Sequence, residues 1–285
     1  MTPSFRCTLI YAAAILSVVP ISARAADAAV LSVSAAQSSL TDIEISGVRL
    51  GMTPEAAIAG LAASGMPNNP DIAPATFVVG RVEPNGLSDL TFVSGLASRA
   101  PSATPGVVRQ VAVSFTPLAS RERVWGVSLQ QHYNVAQAPS LRTTVQALAE
   151  RFGRPSYVQG SMLLWYWNAA GTQMGPDQHE TCRIALHNAY IWNMALGGFL
   201  NAPANAAMRP PMRDWEPARR AGCSKIVRAQ VRHNQDQVVT QLGVDAIDLD
   251  AAYVSGLELG RTVAAREQQA SDGRRRDADA RRPTF

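Results

Sequence analysis

The chain has 285 residues, of which 26 are basic and 22 acidic, for a net charge of +4, and 47% are apolar. Seven arginines against four acids beyond residue 260 hold much of that charge, so the rest is near neutral, which excludes a nucleic-acid footprint. The length suffices for one or two cores, and no stretch beyond the first 25 residues is apolar enough to cross a bilayer.

Residues 1–25 read as a secretory signal peptide. Arg6 supplies a positive start, Thr8 to Ile21 is an apolar run broken by Pro20, and Ala23-Arg24-Ala25 sets cleavage before Ala26. The alternative is an uncleaved anchor flanked by Arg24. Lys225 is the only lysine and alanine abounds, a composition of GC-rich bacteria, so the expected address is the periplasm. Cys7 precedes the apolar run and position 26 is alanine, so no lipidated cysteine is expected, and no transmembrane span remains after cleavage.

Residues 26–40, rich in Ala and Ser, read as a flexible leader. A first α+β unit is expected over 41–134. Ile43, Ile45 and Val48 alternate with polar residues; Thr53 is then an N-cap, Pro54 the first helical residue, and Ser64-Gly65 before Pro67 a stop. Gly47 and Gly51 match no phosphate-loop spacing, so "ISGVRLGMTPEAAIAGL" is a strand-to-helix joint. Strands follow at 75–82, 89–97, 107–117 and 123–133. In the last two, Val111, Val113 and Phe115, then Trp125, Val127 and Leu129, alternate with other residues, a period-two pattern for an antiparallel sheet.

A second unit is expected over 135–268. Ser140 caps a helix whose Leu141, Val145, Leu148 and Phe152 form one stripe, and Gly153 and Pro155 end it. Strands are expected at 161–169, 182–192, 224–233 and 238–249, with a long irregular loop over 193–221, a closing helix over 250–268, and a disordered Arg-rich tail over 269–285. The fold class is therefore α+β: two tandem units, each a short helix followed by an antiparallel sheet.

"GVRLGMTPEAA" leading into a helix, and "LAERFGRPS" followed by "LLWYW", resemble the small periplasmic α+β domains of the β-lactamase inhibitory protein and the small outer-membrane-assembly lipoproteins. The resemblance covers 43–67 and 140–168. It implies a non-enzymatic domain that presents a sheet face to a protein partner. The chain lacks the acylated cysteine of the lipoproteins and has one candidate disulfide.

Ser128 lies mid-strand without the second glycine of a nucleophile elbow, and no catalytic residue is assigned. Cys182 and Cys223 are the only cysteines left after signal removal, which favours a disulfide; the alternative is zinc with His179, Glu180, His187 and His233. Asp245, Asp248 and Asp250 lack the glycine and terminal glutamate of a calcium loop. No metal and no cofactor are therefore expected. Trp165, Tyr166, Trp167, Tyr190 and Trp192 are either core or an interface. Because adjacent strand residues point to opposite sides, at least one of Trp167 and Tyr166 is expected to leave the core face. The functional expectation is an exported, non-catalytic envelope module that binds a protein partner; the alternative is a periplasmic hydrolase with unidentified catalytic acids.

Overall fold

In this computed structural model the described residues are 43–67, 71–77, 90–101, 106–116, 121–175, 182 and 212–281. The chain opens with a hairpin of β1 (Glu44–Ile45) and β2 (Val48–Arg49), then α1 (Pro54–Ala63). Strands β3 (Asp71–Phe77), β4 (Leu90–Pro101), β5 (Val107–Phe115) and β6 (Val124–Tyr133) follow. The second half runs α2 (Leu141–Phe152), β7 (Tyr157–Gln159), β8 (Met162–Trp167), α3 (Met212–Arg220), β9 (Lys225–His233) and β10 (Val239–Asp248). Helix α4 (Leu249–Ala280) closes the chain.

The class is α+β, and the two sets of four strands share one antiparallel sheet in the order β3-β4-β5-β6-β10-β9-β8-β7. The first set runs inward as a meander. The chain then crosses one face as α2, restarts at the far edge with β7, and runs inward again until β10 meets β6. Registers place Val111, Leu129, Val244, Ala229 and Leu163 in one row across five strands, all toward the first face. Helices α1 and α2 and the hairpin cover that face, through Ala57, Leu61, Val145, Leu148 and Phe152 among others.

The opposite face is covered too. Trp125, Leu164, Tyr166, Ile226 and Ile247 pack there against Ala218 of α3, Leu249 and Ala252 of α4, and both bridged cysteines. Cys182 and Cys223 form a disulfide with Cα atoms 6.0 Å apart. It closes a loop with a sequence separation of 41 residues, a constraint of about 4 kcal/mol on the chain-entropy account. The neighbouring row is polar: Ala112, Ser128, Asp245, Arg228 and Leu164 lie side by side. Arg228 donates to Asp245 Oδ2 from Nε at 2.9 Å and from Nη2 at 2.6 Å, both side chains buried. Burial pushes the Asp245 carboxyl above its ordinary range, and the Arg228 charge opposes that push. Removing one partner of such a pair typically costs about 3–5 kcal/mol.

Two expectations change. The stretch 193–221, read as irregular, contains α3, which tolerates Pro217 within it. The tail, read as disordered from 269, is helical through Ala280. Local pairs support it there: Arg275 and Gln268 both reach Asp272, at 2.7 and 3.0 Å. Among the described residues no helix is long and apolar enough to cross a membrane. Of the strand expected at 182–192, residues 183–192 lie outside the described residues.

The strand-to-helix joint is a tight hairpin seated on a helix. Ser46 and Gly47 both have positive φ, 52° and 78°, as a two-residue primed turn requires. Thr53 Oγ1 accepts from Ala56 N–H at 3.3 Å and starts α1. Gly47 and Gly60 then meet backbone to backbone: a β-carbon on either would lie closer than 3.0 Å to the other's carbonyl. Glycine to alanine inside a helix normally stabilises by up to about 1 kcal/mol. Gly60→Ala should do the reverse, lowering stability by roughly 1–3 kcal/mol through overpacking. Urea midpoints at constant m-value measure this, and a raised midpoint would show that the hairpin does not rest on α1.

Candidate functional site

Side chains on the first face leave a cavity of about 470 Å³ between α2, the hairpin turn and the central strands. That volume lies within the range of small-molecule sites, about 300–1,000 Å³. Its floor comes from three strands whose registers fix each position. Val111, Leu129 and Val244 are neighbours in one row, and Arg109, Gln131 and Leu242 in the next. Tyr133 stands beyond them, opposite Val107. One wall is α2, through Thr143, Thr144, Ala147, Leu148, Arg151 and Phe152; the other is Ile45 and Ser46 of the hairpin.

The helix wall follows from its sequence. Ser140 Oγ accepts from Thr143 N–H at 3.1 Å and fixes where α2 begins. Leu141, Val145, Leu148 and Phe152 then turn to the sheet as their spacing demands. Phe152 packs on Trp165, ring centroids 5.4 Å apart, and Trp165 Nε1–H donates to Gly153 O at 2.8 Å. Those contacts set the rotation of α2 and bring Arg151 to the rim.

Two arginines are held by neutral acceptors. Arg109 donates from Nη1 to Ser64 O and from Nη2 to Ser46 Oγ, each at 3.0 Å, tying β5 to α1 and to the hairpin. Its Nε is buried and has no acceptor among the described residues. Arg151 Nη2 donates to Glu44 O. Among the described residues neither guanidinium pairs with a carboxylate: Glu44 faces Arg49, and Glu150 accepts from Gln146. Tyr133 donates to Gln131 Oε1 at 2.8 Å. Burial raises the Tyr133 phenol above its ordinary range and the nearby Arg109 charge opposes the rise, so the group is neutral near pH 7. The site thus combines an apolar row with a polar end that is cationic and rich in donors.

Of the aromatic residues singled out from the sequence, the three on β8 do not form an exposed interface. Trp165, Tyr166 and Trp167 are each 0% exposed. Trp165 and Trp167 belong to the first core and Tyr166 to the second, because the sheet is covered on both faces at β8. Alternation holds, but both directions lead into a core. Tyr190 and Trp192 lie outside the described residues, as do His179, Glu180 and His187. Ser128 is buried beside Asp245 in the ladder.

The three aspartates act separately. Asp245 pairs with Arg228; Asp248 caps α4 by accepting from Ala251 N–H at 2.8 Å; Asp250 binds Arg219 and Ser224. Burial raises the Asp248 carboxyl, and its bond from the Ala251 amide opposes that rise. Among the described residues no group of three or more His, Cys, Asp or Glu could hold a metal ion. In comparisons with known proteins, no family model, no curated protein and no solved structure matches the chain.

The cavity residues carry one signal in the sequence that composition hides. Arg109 falls in phase with Val107, Val111 and Val113, and Gln131 and Tyr133 in phase with Val127 and Leu129. Polar groups on the core-facing phase of two adjacent strands mark a face that is not closed.

The raised Tyr133 value has a direct consequence for stability. Native protein holds that proton more tightly than unfolded chain, so stability is fully present below the ordinary tyrosine range near about pH 10 and declines as pH rises through the folded value. Urea midpoints followed across the alkaline range should fall more steeply for the wild type than for Tyr133→Phe. Parallel curves would place the phenol in solvent.

Proposed function

We propose that the protein is an exported, non-catalytic binding module of the cell envelope, and that the cavity beside α2 is where it holds its ligand. The observation that carries this reading is the lining itself. Arg109, Arg151 and Gln131 offer donors at one end, while Leu129, Leu148, Phe152, Leu242 and Val244 offer an apolar body. Fixed donors beside apolar walls orient a ligand. Acid–base chemistry would instead use a group that titrates near neutrality, and the titratable lining consists of two arginines and a phenol raised by burial.

Export rests on residues 1–25, with their positive start, short apolar run and Ala23-Arg24-Ala25 site. The paired cysteines are consistent with an oxidising compartment. The resemblance of 43–67 and 140–168 to non-enzymatic periplasmic domains supports the same class of function.

Ala147 is exposed at the mouth of the cavity, so Ala147→Trp blocks entry without touching the core. Protein recovered from a periplasmic extract should begin at Ala26 and bind the fluorescent amphiphile anilinonaphthalene sulfonate saturably at one site. Ala147→Trp should weaken that binding at least about tenfold, roughly 1.4 kcal/mol, with an unchanged melting temperature. Equal binding by a folded Ala147→Trp would remove the cavity from the function, and a chain retaining Met1 would remove the address.

A further inference from the structure

We propose that the ligand is an amphiphilic anion: a small acid whose carboxylate meets Arg109 and Gln131 and whose aliphatic chain lies along Leu129 and Val244. This rests on the reading of the cavity as the ligand seat and names the chemistry that seat selects.

The sheet registers give the cavity floor a polarity gradient. Gln131 stands opposite Arg109 on one side and Leu242 on the other; one row further in, Leu129 lies between Val111 and Val244. A ligand lying along β6 therefore passes from a donor-rich end to an apolar one. Its apolar end meets Phe152 and Leu148 of α2, both buried. A neutral alkane would leave the donors facing nothing, and a fully polar ligand would waste the apolar row.

Charge selects the head group. Two guanidinium groups border the cavity, and among the described residues no Asp or Glu side chain lines it. Glu44, on the hairpin, faces Arg49, and Glu150, on α2, accepts from Gln146. Arg109 spends two N–H donors on Ser64 O and Ser46 Oγ and keeps a buried Nε without an acceptor among the described residues. Nη1 and Nη2 each keep a second N–H, so a bound oxygen can add a charge-assisted bond. Tyr133 uses its proton on Gln131 Oε1, which leaves the Gln131 amide N–H groups free to donate beside Arg109. The tethers to Ser64 and Ser46 hold the Arg109 guanidinium in place before any ligand arrives, so little side-chain ordering remains to oppose binding.

The test is calorimetric titration of the full mature chain with octanoate and, separately, with octanamide, which has the same tail and a neutral head. Octanoate should bind about tenfold more tightly, and added salt should narrow the ratio. In Arg109→Gln the ratio should fall to near unity, and a wild-type circular dichroism spectrum and melting transition separate loss of charge from loss of fold. Arg151→Gln, on an exposed position of α2, should lower the ratio partially, and it is the variant to read if Arg109→Gln does not fold. Equal affinities for the two probes in the wild type would overturn the anion assignment and leave the cavity as a neutral site. Failure of both probes to bind would overturn the cavity reading itself.

Discussion

Strands β6 and β10 pair antiparallel from Gln241 opposite His132 to Ile247 opposite Gly126, and along that ladder the two halves of the chain become one sheet. Each half supplies four strands, and apart from the other each would leave β6 or β10 as an unpaired edge. Joining them puts β6 and β10 at the centre, with backbone groups satisfied on both sides. Everything else is arranged around that seam: α1 and α2 on one face, α3, the disulfide and the start of α4 on the other.

A sheet covered on both faces must find partners for whatever polar groups its central strands carry. The row Ser128, Asp245 and Arg228 is the consequence on the second face, where a buried carboxylate is retained because a guanidinium lies on the next strand. The first face meets the same constraint differently. Here Arg109 reaches over the sheet to Ser64 and Ser46, and Arg151 reaches from α2 to Glu44, so both cations hold the hairpin in place. Gly51 N–H donates to Val124 O at 2.7 Å and Val124 N–H to Met52 O at 2.8 Å, which fixes the hairpin to β6 as well. The cavity is the space these tethers span, and its donor-rich end is made of the same groups that keep the hairpin in position.

Much of this was readable from residue order, for reasons that can be named. Strands β5, β6, β9 and β10 carry period-two alternation, and α2 carries a serine cap, a stripe and a Gly-Pro stop. The class α+β follows from those signals, and the disulfide from there being only two cysteines after residue 25. Where the reading missed, a local rule was overruled by packing. The run "MLLWYW" was weighed as an interface, yet an unbroken apolar strand is what burial on both faces produces, and Trp165, Tyr166 and Trp167 are all core. Gly197-Gly198, Pro203 and Pro210-Pro211 point to an irregular stretch over 193–221, yet within it "MRDWEPARR" forms α3, with Ala218 packed into the second core beside the disulfide. Beyond residue 268, dense charge suggested disorder, whereas the charges pair at helical spacing. Arg109 is masked in the sequence by the valines in phase with it, and the one residue out of character with them is the one at the site.

The most direct test of the account is native-state hydrogen exchange across the β6–β10 seam. If the two halves form one cooperative sheet, amides of β6 and β10 should exchange most slowly, with one opening free energy that also applies to β5 and β9 and equals that of global unfolding. Exchange of β5 and β6 through a separate, lower-energy opening while β8, β9 and β10 stay protected would contradict it, because the halves would then be independent units and the cavity floor would not be a single surface.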